Sequence, residues 1–223
     1  DGDMDVLGTA SGADDITWWE NDGSENFTKH NIDSSFDGAK GLFATDVDGD
    51  GDIDILGAAY VADDITWWEN DGSENFTEHT IDGSFDGAID VYIADVDGDG
   101  DMDVLGVASN ADDITWWEND GSENFTKRTI DGSFNGAVGL YASDVDGDGD
   151  IDVLGASLYA DDITWWENDG SENFTEHIIS GDFEGAYSVY TADVDGDGDM
   201  DVLGAAVHED DITWWENDGS ENF

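Results

Sequence analysis

Short apolar segments alternate with segments rich in glycine and aspartate along the whole chain. One set of four consists of residues 89–94 (IDVYIA), VLGVAS from Val104, ITWWEN from Ile114 and NFTKRTI from Asn124. Residues 119–122 (NDGS) are a strong signal for a hairpin turn between the last two segments. The segment lengths, the turn residues between them and the lack of helical periodicity predict four short β-strands.

This set of four segments recurs with a period of 49 residues. The Trp-Trp dipeptide marks each copy and begins at Trp18, Trp67, Trp116, Trp165 and Trp214. We therefore divide the chain into repeats 1–49, 50–98, 99–147 and 148–196 and a partial repeat, 197–223. A period of this length with four strands is typical of one β-propeller blade, whereas the coils of a β-solenoid, the alternative, are usually shorter.

The predicted fold class is an all-β propeller of about five four-stranded blades, or an excerpt from a larger array of such blades. The chain is 22 residues short of five full repeats, and both of its ends fall inside a repeat. Successive blades pack face to face, which explains why tryptophans occupy both faces of one strand. We expect these tryptophans to belong to the core between blades and not to stack on carbohydrate.

The charge composition excludes several classes of partner. The 223 residues include 4 Lys and Arg against 59 Asp and Glu, for a formal net charge of −55. So few cations cannot form the basic surfaces that attract nucleic acids and anionic membranes. Cysteine is absent, which excludes disulfides and thiolate ligands. No apolar run reaches the ~18–20 residues of a membrane helix, so we expect no membrane insertion.

The acidic segment DVDGDGDID, which begins at Asp46, carries the most specific chemistry. Its carboxylates would repel one another by ~3 kcal/mol per pair at ~5 Å unless a cation lay among them, and oxygen ligands at this spacing suit Ca2+. The alternative is a solvated acidic turn without metal. An EF-hand is excluded because Gly57 stands where the twelfth residue must be Glu.

We expect about one Ca2+ per repeat, bound by the side chains of loop positions one, three, five and nine and by the backbone carbonyl of position seven. These residues are Asp46, Asp48, Asp50 and Asp54 with Asp52; Asp95, Asp97, Asp99 and Asp103 with Asp101; Asp144, Asp146, Asp148 and Asp152 with Asp150; Asp193, Asp195, Asp197 and Asp201 with Asp199; and Asp1, Asp3 and Asp5 as the remnant of a fifth set.

The segments FDGAIDVYIADVDGDGDMDVLGVAS, from Phe85, and ITWWENDGSENFT, from Ile65, resemble FG-GAP/VCBS repeats, the calcium-loop blades related to integrin α propellers. The resemblance covers the whole chain. It is strong in the acidic loop and looser in the FG and GAP segments, which read FDGA and LGAA or LGVA here. It implies a calcium-stabilised propeller in a secreted or cell-surface protein that serves adhesion or recognition.

The repeats differ from one another mainly in two of their connections. In an up-and-down blade, the second-to-third and fourth-to-first connections lie on one rim, and the acidic loops and hairpin turns lie on the other. We interpret the variable rim as a ligand-binding face, while neutral drift in tolerant loops is the alternative. The candidate ligand-binding residues are Tyr60, Asn110, Tyr159 and His208.

Two further groups of residues recur at fixed positions. His30, His79 and His177 share a strand position with Arg128, which argues for a half-exposed surface site and against a metal ligand. The N-F-T triplets are acceptor sequences for N-glycosylation, at Asn26, Asn75, Asn124 and Asn173.

The sequence favours a calcium-stabilised extracellular or cell-surface module for adhesion or for recognition of a glycan or protein. The alternative is a structural protein that self-associates into a surface layer or filament. We expect no enzyme, because the paired carboxylates recur in every repeat whereas an active site is usually singular. A propeller enzyme acting on polysaccharide or phosphoester is the least favoured function.

Overall fold

The computed structural model describes residues 2–223, and β-strands are the regular secondary structure in this part of the chain. In chain order the strands are β1 Val6–Ala10, β2 Asp15–Asn21, β3 Phe27–Asp33, β4 Ala39–Thr45, β5 Asp54–Ala59, β6 Asp64–Asn70, β7 Phe76–Asp82, β8 Ala88–Ala94, β9 Asp103–Ala108, β10 Asp113–Asn119, β11 Phe125–Asp131, β12 Ala137–Ser143, β13 Asp152–Ser157, β14 Asp162–Asn168, β15 Phe174–Ser180, β16 Ala186–Ala192, β17 Asp201–Ala206 and β18 Asp211–Trp215.

Strands that are consecutive in sequence are neighbours in each sheet. Three four-stranded sheets contain β4–β7, β8–β11 and β12–β15, and two three-stranded sheets contain β1–β3 and β16–β18. The predicted four-stranded antiparallel repeat is thus confirmed. Internal packing divides the chain into an N-terminal part that ends at Val91 and a C-terminal part that begins at Tyr92.

The tryptophan pairs of the three four-stranded sheets form the core, as expected, whereas the pairs of the two three-stranded sheets, at Trp18 and Trp214, are only partly covered. The two tryptophans of each four-stranded sheet are at most 2% exposed: Trp67, Trp68, Trp116, Trp117, Trp165 and Trp166. Because one side chain of each pair lies on either face of its strand, a sheet is buried on both faces. Burial of such large aromatic side chains is a major source of stability in this fold.

The phenylalanine of the FDGA-type segment packs edge-on against the second tryptophan of a pair. In the C-terminal part, the rings of Phe134 and Trp166 are 4.9 Å apart at 88°, and Ile114 belongs to the same buried cluster. Gly155 leaves room for this contact, because a Cβ there would lie 2.8 Å from both Ile114 Cδ1 and Phe134 Cε1. The N-terminal part repeats the arrangement with Phe36 and Trp68, at 4.9 Å and 90°.

Candidate metal-binding and recognition sites

Each acidic loop connects the first and second strands of a sheet and folds back on itself through two left-handed glycines. In the first complete loop these are Gly49 and Gly51, with φ of 79° and 98°. Their backbone N–H groups donate hydrogen bonds to the two carboxylate oxygens of Asp46, at 2.8 and 3.0 Å. Asp48 accepts from the N–H of Asp50 at 3.0 Å. The loop therefore draws its carboxylates inward around one point.

Within residues 2–223 there are four groups of three carboxylates, and in each group the three oxygens lie within 4.8 Å of one another. Loop positions one, three and five meet in three of the loops, whereas positions one, three and nine meet in the other. The groups are Asp46, Asp48 and Asp50; Asp95, Asp97 and Asp99; Asp144, Asp146 and Asp152; and Asp193, Asp195 and Asp197.

Asp1, Asp3 and Asp5 of the incomplete N-terminal loop correspond to loop positions five, seven and nine, and Asp3 and Asp5 are placed as their equivalents are in the complete loops. Asp1 lies outside the described residues. The carboxylate of Asp3 lies against Gly23, and Asp5 accepts a hydrogen bond from the N–H of Asn21 at 2.8 Å.

The electrostatics of the loops favour a bound cation. Burial raises the pKa of Asp97, and the neighbouring carboxylates of Asp99 and Asp95 add to the shift. One oxygen of Asp95, Oδ1, is buried without a hydrogen-bond partner within residues 2–223. A cation would compensate both features, and a donor set made of oxygens alone suits Ca2+ or Mg2+ better than a softer metal. The residues present therefore fit a calcium ion.

The ninth loop residue is buried and hydrogen-bonded at the start of the second strand. Asp103 is fully buried; its Oδ2 accepts from the N–H of Val96 at 2.9 Å and its Oδ1 from the N–H of Asn119 at 2.8 Å. Burial raises the pKa of Asp103 to about 7 against the pull of these two hydrogen bonds. Equivalent hydrogen bonds are made by Asp54, Asp152 and Asp201. The sequence pattern indicated a ligand here but gave no sign of this role in fastening the loop.

The seventh loop residue directs its side chain to the neighbouring hairpin turn. In the second complete loop, the carboxylate of Asp101 lies against the backbone of Gly121. Asp52, Asp150 and Asp199 make the equivalent contacts with Gly72, Gly170 and Gly219. This placement brings the acidic loop and the hairpin turn to the same rim.

The connection between the second and third strands presents a different side chain on a support of the same kind in three of the repeats. In the C-terminal part, Tyr159 lies on Gly136, where a Cβ would be 2.5 Å from the ring. Gly136 is left-handed, with φ of 73°; its N–H donates to Asp112 Oδ1 at 2.8 Å and its carbonyl accepts from the N–H of Leu158 at 3.0 Å. Asp112 is itself left-handed, at φ 59°. A strained, hydrogen-bonded backbone thus fixes one face of an aromatic ring that is 66% exposed.

Other repeats place other side chains on the same support. His208 lies on Gly185 in the C-terminal part, and Val61 lies on Gly38 in the N-terminal part. Both side chains are exposed, as is Asn110. Tyr60, which the sequence pattern singled out, is half-buried beside Lys40, whose Nζ is 6.0 Å from its ring. The supported and exposed residue in that repeat is Val61, which the 49-residue period aligns with Asn110, Tyr159 and His208.

The histidines of the outer strands are half-exposed, as the sequence comparison indicated. His79 stacks on Trp67 at 4.8 Å between ring centroids, and its Nε2 is 2.9 Å from Glu69 Oε2. Arg128 lies over Trp116 instead and forms ion pairs with Glu118 and Glu172. The His or Arg side chain at this position therefore covers the ring of the first tryptophan of its pair.

The asparagines of the N-F-T triplets are all exposed. Each amide is hydrogen-bonded within its own turn; Asn75 Nδ2, for example, donates to Asp71 Oδ2 at 3.0 Å. This hydrogen bonding lowers the pKa of Asp71. Glycosylation at these residues stays a prediction, which the intact mass of the protein from its source organism would test.

Comparison with protein families gives matches along most of the chain. The profile of the FG-GAP-like repeat matches residues 1–57, 46–106, 95–155 and 144–204. A search of curated proteins returned no match. Within residues 2–223, no helix is long and apolar enough to span a membrane.

Solved structures give the fold class. A lectin from Agrocybe aegerita, described as recognising non-reducing terminal N-acetylglucosamine, is similar with a TM-score of 0.62 and 20% identity, over 98% of this chain and 64% of its own. A streptogramin B lyase matches with a TM-score of 0.62 and 14% identity, over 97% and 67%. A nidogen/laminin complex matches with a TM-score of 0.59 and 11% identity, over 91% and 69%.

The chain thus spans less than two thirds of the lectin and just over two thirds of each of the other two chains. At these identities the likeness establishes fold alone, and the fold class is the all-β propeller, as the sequence predicted.

Proposed function

The chain belongs to the FG-GAP-like repeat family, and from this membership we propose that it is a calcium-stabilised, extracellular β-propeller module for adhesion or for recognition of a glycan or protein. The observation that carries the recognition role is the support of an exposed side chain by a left-handed glycine, which holds for Val61 in the N-terminal part and separately for Tyr159 and His208 in the C-terminal part. A backbone support of the same kind that presents a different exposed side chain in three repeats suits a binding face.

Calcium would be held by the aspartates of each acidic loop. The grouped oxygens of loop positions one, three and five would supply side-chain ligands, with the carbonyl of position seven and the carboxylate of position nine completing the set. The bound ion would neutralise the repulsion between the carboxylates and fasten the connection between the first two strands. The ion would have a structural role and no catalytic one.

The structural neighbours support a glycan or a protein as the ligand. One is described as a lectin for terminal N-acetylglucosamine, and another is a complex of nidogen with laminin. The lyase among them shows that a similar fold occurs in an enzyme. We assign no catalytic activity to this chain, because its carboxylate groups recur from repeat to repeat.

Binding to a glycan array that includes terminal N-acetylglucosamine, and to immobilised laminin, tests the recognition role in calcium-containing buffer. We expect Tyr159→Ala to reduce the signal at least tenfold, because truncation of an anchoring aromatic residue commonly costs about 2 kcal/mol or more. The matched control is Ser122→Ala, an exposed position on the opposite rim. Equal binding by both variants, or no binding on either surface, would remove the proposal.

A further inference from the structure

The first strands of successive sheets alternate between two types of sequence. One position holds Gly41 in β4, Asp90 in β8, Gly139 in β12 and Ser188 in β16. No two successive first strands carry a side chain at this position. Three other positions of the same strands also alternate, as Leu42, Val91, Leu140 and Val189; as Ala44, Ile93, Ala142 and Thr191; and as Thr45, Ala94, Ser143 and Ala192.

The glycines of this pattern lie against the backbone of the following first strand. In the C-terminal part, a Cβ on Gly139 would be 2.7 Å from the carbonyl oxygen of Tyr187 and 3.1 Å from Ser188 Cα. In the N-terminal part, a Cβ on Gly41 would be 2.7 Å from Asp90 Cα. Neither glycine has a φ in the left-handed region. Glycine is therefore needed for space and not for backbone conformation.

At positions around this contact, one first strand has a small side chain where the next first strand has a larger one. Ala142 of β12 alternates with Thr191 of β16, and the hydroxyl groups of Ser143 and Thr191 are 2.9 Å apart. Alternating sizes on facing strands fill the space between them, and two strands of the same type would leave a gap at one position and a clash at another.

Residues outside the first strands also alternate in type from one repeat to the next. The residue opposite the second tryptophan of each pair is Lys29, Glu78, Lys127 or Glu176 in successive outer strands. The eighth residue of the acidic loop is Met4, Ile53, Met102, Ile151 or Met200 in the same order. Independent positions in three regions of the blade thus follow a period of two repeats, or 98 residues.

We propose that the packing unit of this array is a pair of unlike blades, in which Gly41 or Gly139 of one blade admits the first strand of the next. The inference goes beyond the proposed recognition function. A closed ring of these repeats contains an even number of blades, because an odd number would place two blades of the same type side by side.

Substitutions in the intact chain test the close contact. Gly139→Ala lowers the melting temperature by about 5 °C or more, since the added methyl group meets backbone that no rotamer change can move. Ser188→Ala keeps a Cβ atom at a position where its strand already has one. It therefore leaves the melting temperature within about 1 °C of the unmodified protein. Equal effects of the two variants would overturn the proposal.

Two extended chains of equal length test the alternation itself. One continues after Phe223 with a copy of residues 28–76. This in-phase copy continues the alternation, because Lys29 then follows Glu176 and Gly41 follows Ser188. The other continues with a copy of residues 77–125. This out-of-phase copy interrupts the alternation, because Glu78 then follows Glu176 and Asp90 follows Ser188. We expect the in-phase chain to melt at least about 5 °C higher. Equal melting temperatures, or a more stable out-of-phase chain, would overturn the proposal.

Discussion

Replacing Gly136 with alanine tests whether a fixed backbone holds Tyr159 in place. The substitution has two separable effects. Gly136 has a φ of 73°, which an L-residue adopts at a cost, and its Cβ would lie 2.5 Å from Tyr159 Cδ2. The first effect concerns the backbone alone, and the second concerns the contact with the ring.

The chain contains a matched control for the backbone effect. Gly147 has a φ of 80°, and a Cβ there would meet no atom within 4 Å. Its substitution by alanine therefore costs only the left-handed conformation, about 1–2 kcal/mol. At ~2–4 °C per kcal/mol for a domain of this size, the melting temperature falls by about 2–8 °C.

Gly136→Ala adds the contact to this cost. Overpacking costs about 1–3 kcal/mol, and the exposed ring of Tyr159 can turn away, so we take the lower half of that range and a total of about 2–4 kcal/mol. The double variant Gly136→Ala/Tyr159→Ala removes the clash and returns the loss to the level of Gly147→Ala. Urea unfolding of the unmodified protein, Gly136→Ala, Tyr159→Ala and the double variant gives these free energies as a double-mutant cycle. Gly147→Ala is measured beside them, and all five proteins are unfolded in calcium-free buffer because Gly147 lies in an acidic loop.

Two results would refute this reasoning. Equal losses in Gly136→Ala and Gly147→Ala would show that the ring does not rest on the glycine. An additive double variant would show that the two residues do not interact. The same variants bear on recognition, because displacement of Tyr159 by Gly136→Ala should weaken ligand binding even though the substituted residue offers no side chain for contact.

Three further predictions concern the acidic loops and the core. Burial raises the pKa of Asp54 to about 6 and those of Asp103 and Asp152 to about 7, so the calcium-free folded state holds protons that the unfolded state releases. Its stability should therefore fall as pH rises from about 4 to 7; a flat or rising melting temperature over that window would contradict this. Asp99→Asn should weaken calcium binding at its own loop at least tenfold, which calorimetry shows as about one fewer ion bound with high affinity, without destabilising the calcium-free protein, because Asp99 is exposed; an unchanged stoichiometry and affinity would exclude it as a ligand. Gly155→Ala should cost about 1–3 kcal/mol in urea unfolding, since its Cβ would lie 2.8 Å from Ile114 and Phe134; an unaltered midpoint would show that the core has room to spare.

The repeat and its strands could be predicted because they depend on local signals. ITWWEN from Ile114 became β10, and the NDGS turn joined it to β11. The burial of Trp116 and Trp117 followed from the need to cover both faces of a blade. The grouping of Asp46, Asp48 and Asp50 followed from their spacing and the glycines between them.

The remaining features depend on contacts between residues that are distant in sequence. Nothing local to Asp103 shows that its carboxylate reaches the N–H of Asn119. The support of Tyr159 by Gly136 joins two different connections of the chain. The choice between Tyr60 and Val61 is different, because the 49-residue period by itself aligns Val61, and not Tyr60, with Asn110, Tyr159 and His208.

The most direct test of the proposed calcium-stabilised propeller is the melting temperature of the unmodified protein with and without calcium. At a tenfold excess of ion over the dissociation constant, each occupied site stabilises the fold by RT ln 11, about 1.4 kcal/mol. The four groups of carboxylates would then contribute about 5–6 kcal/mol together. We predict a rise in melting temperature of at least about 10 °C when calcium replaces chelator. The same melting temperature in both buffers would contradict the account.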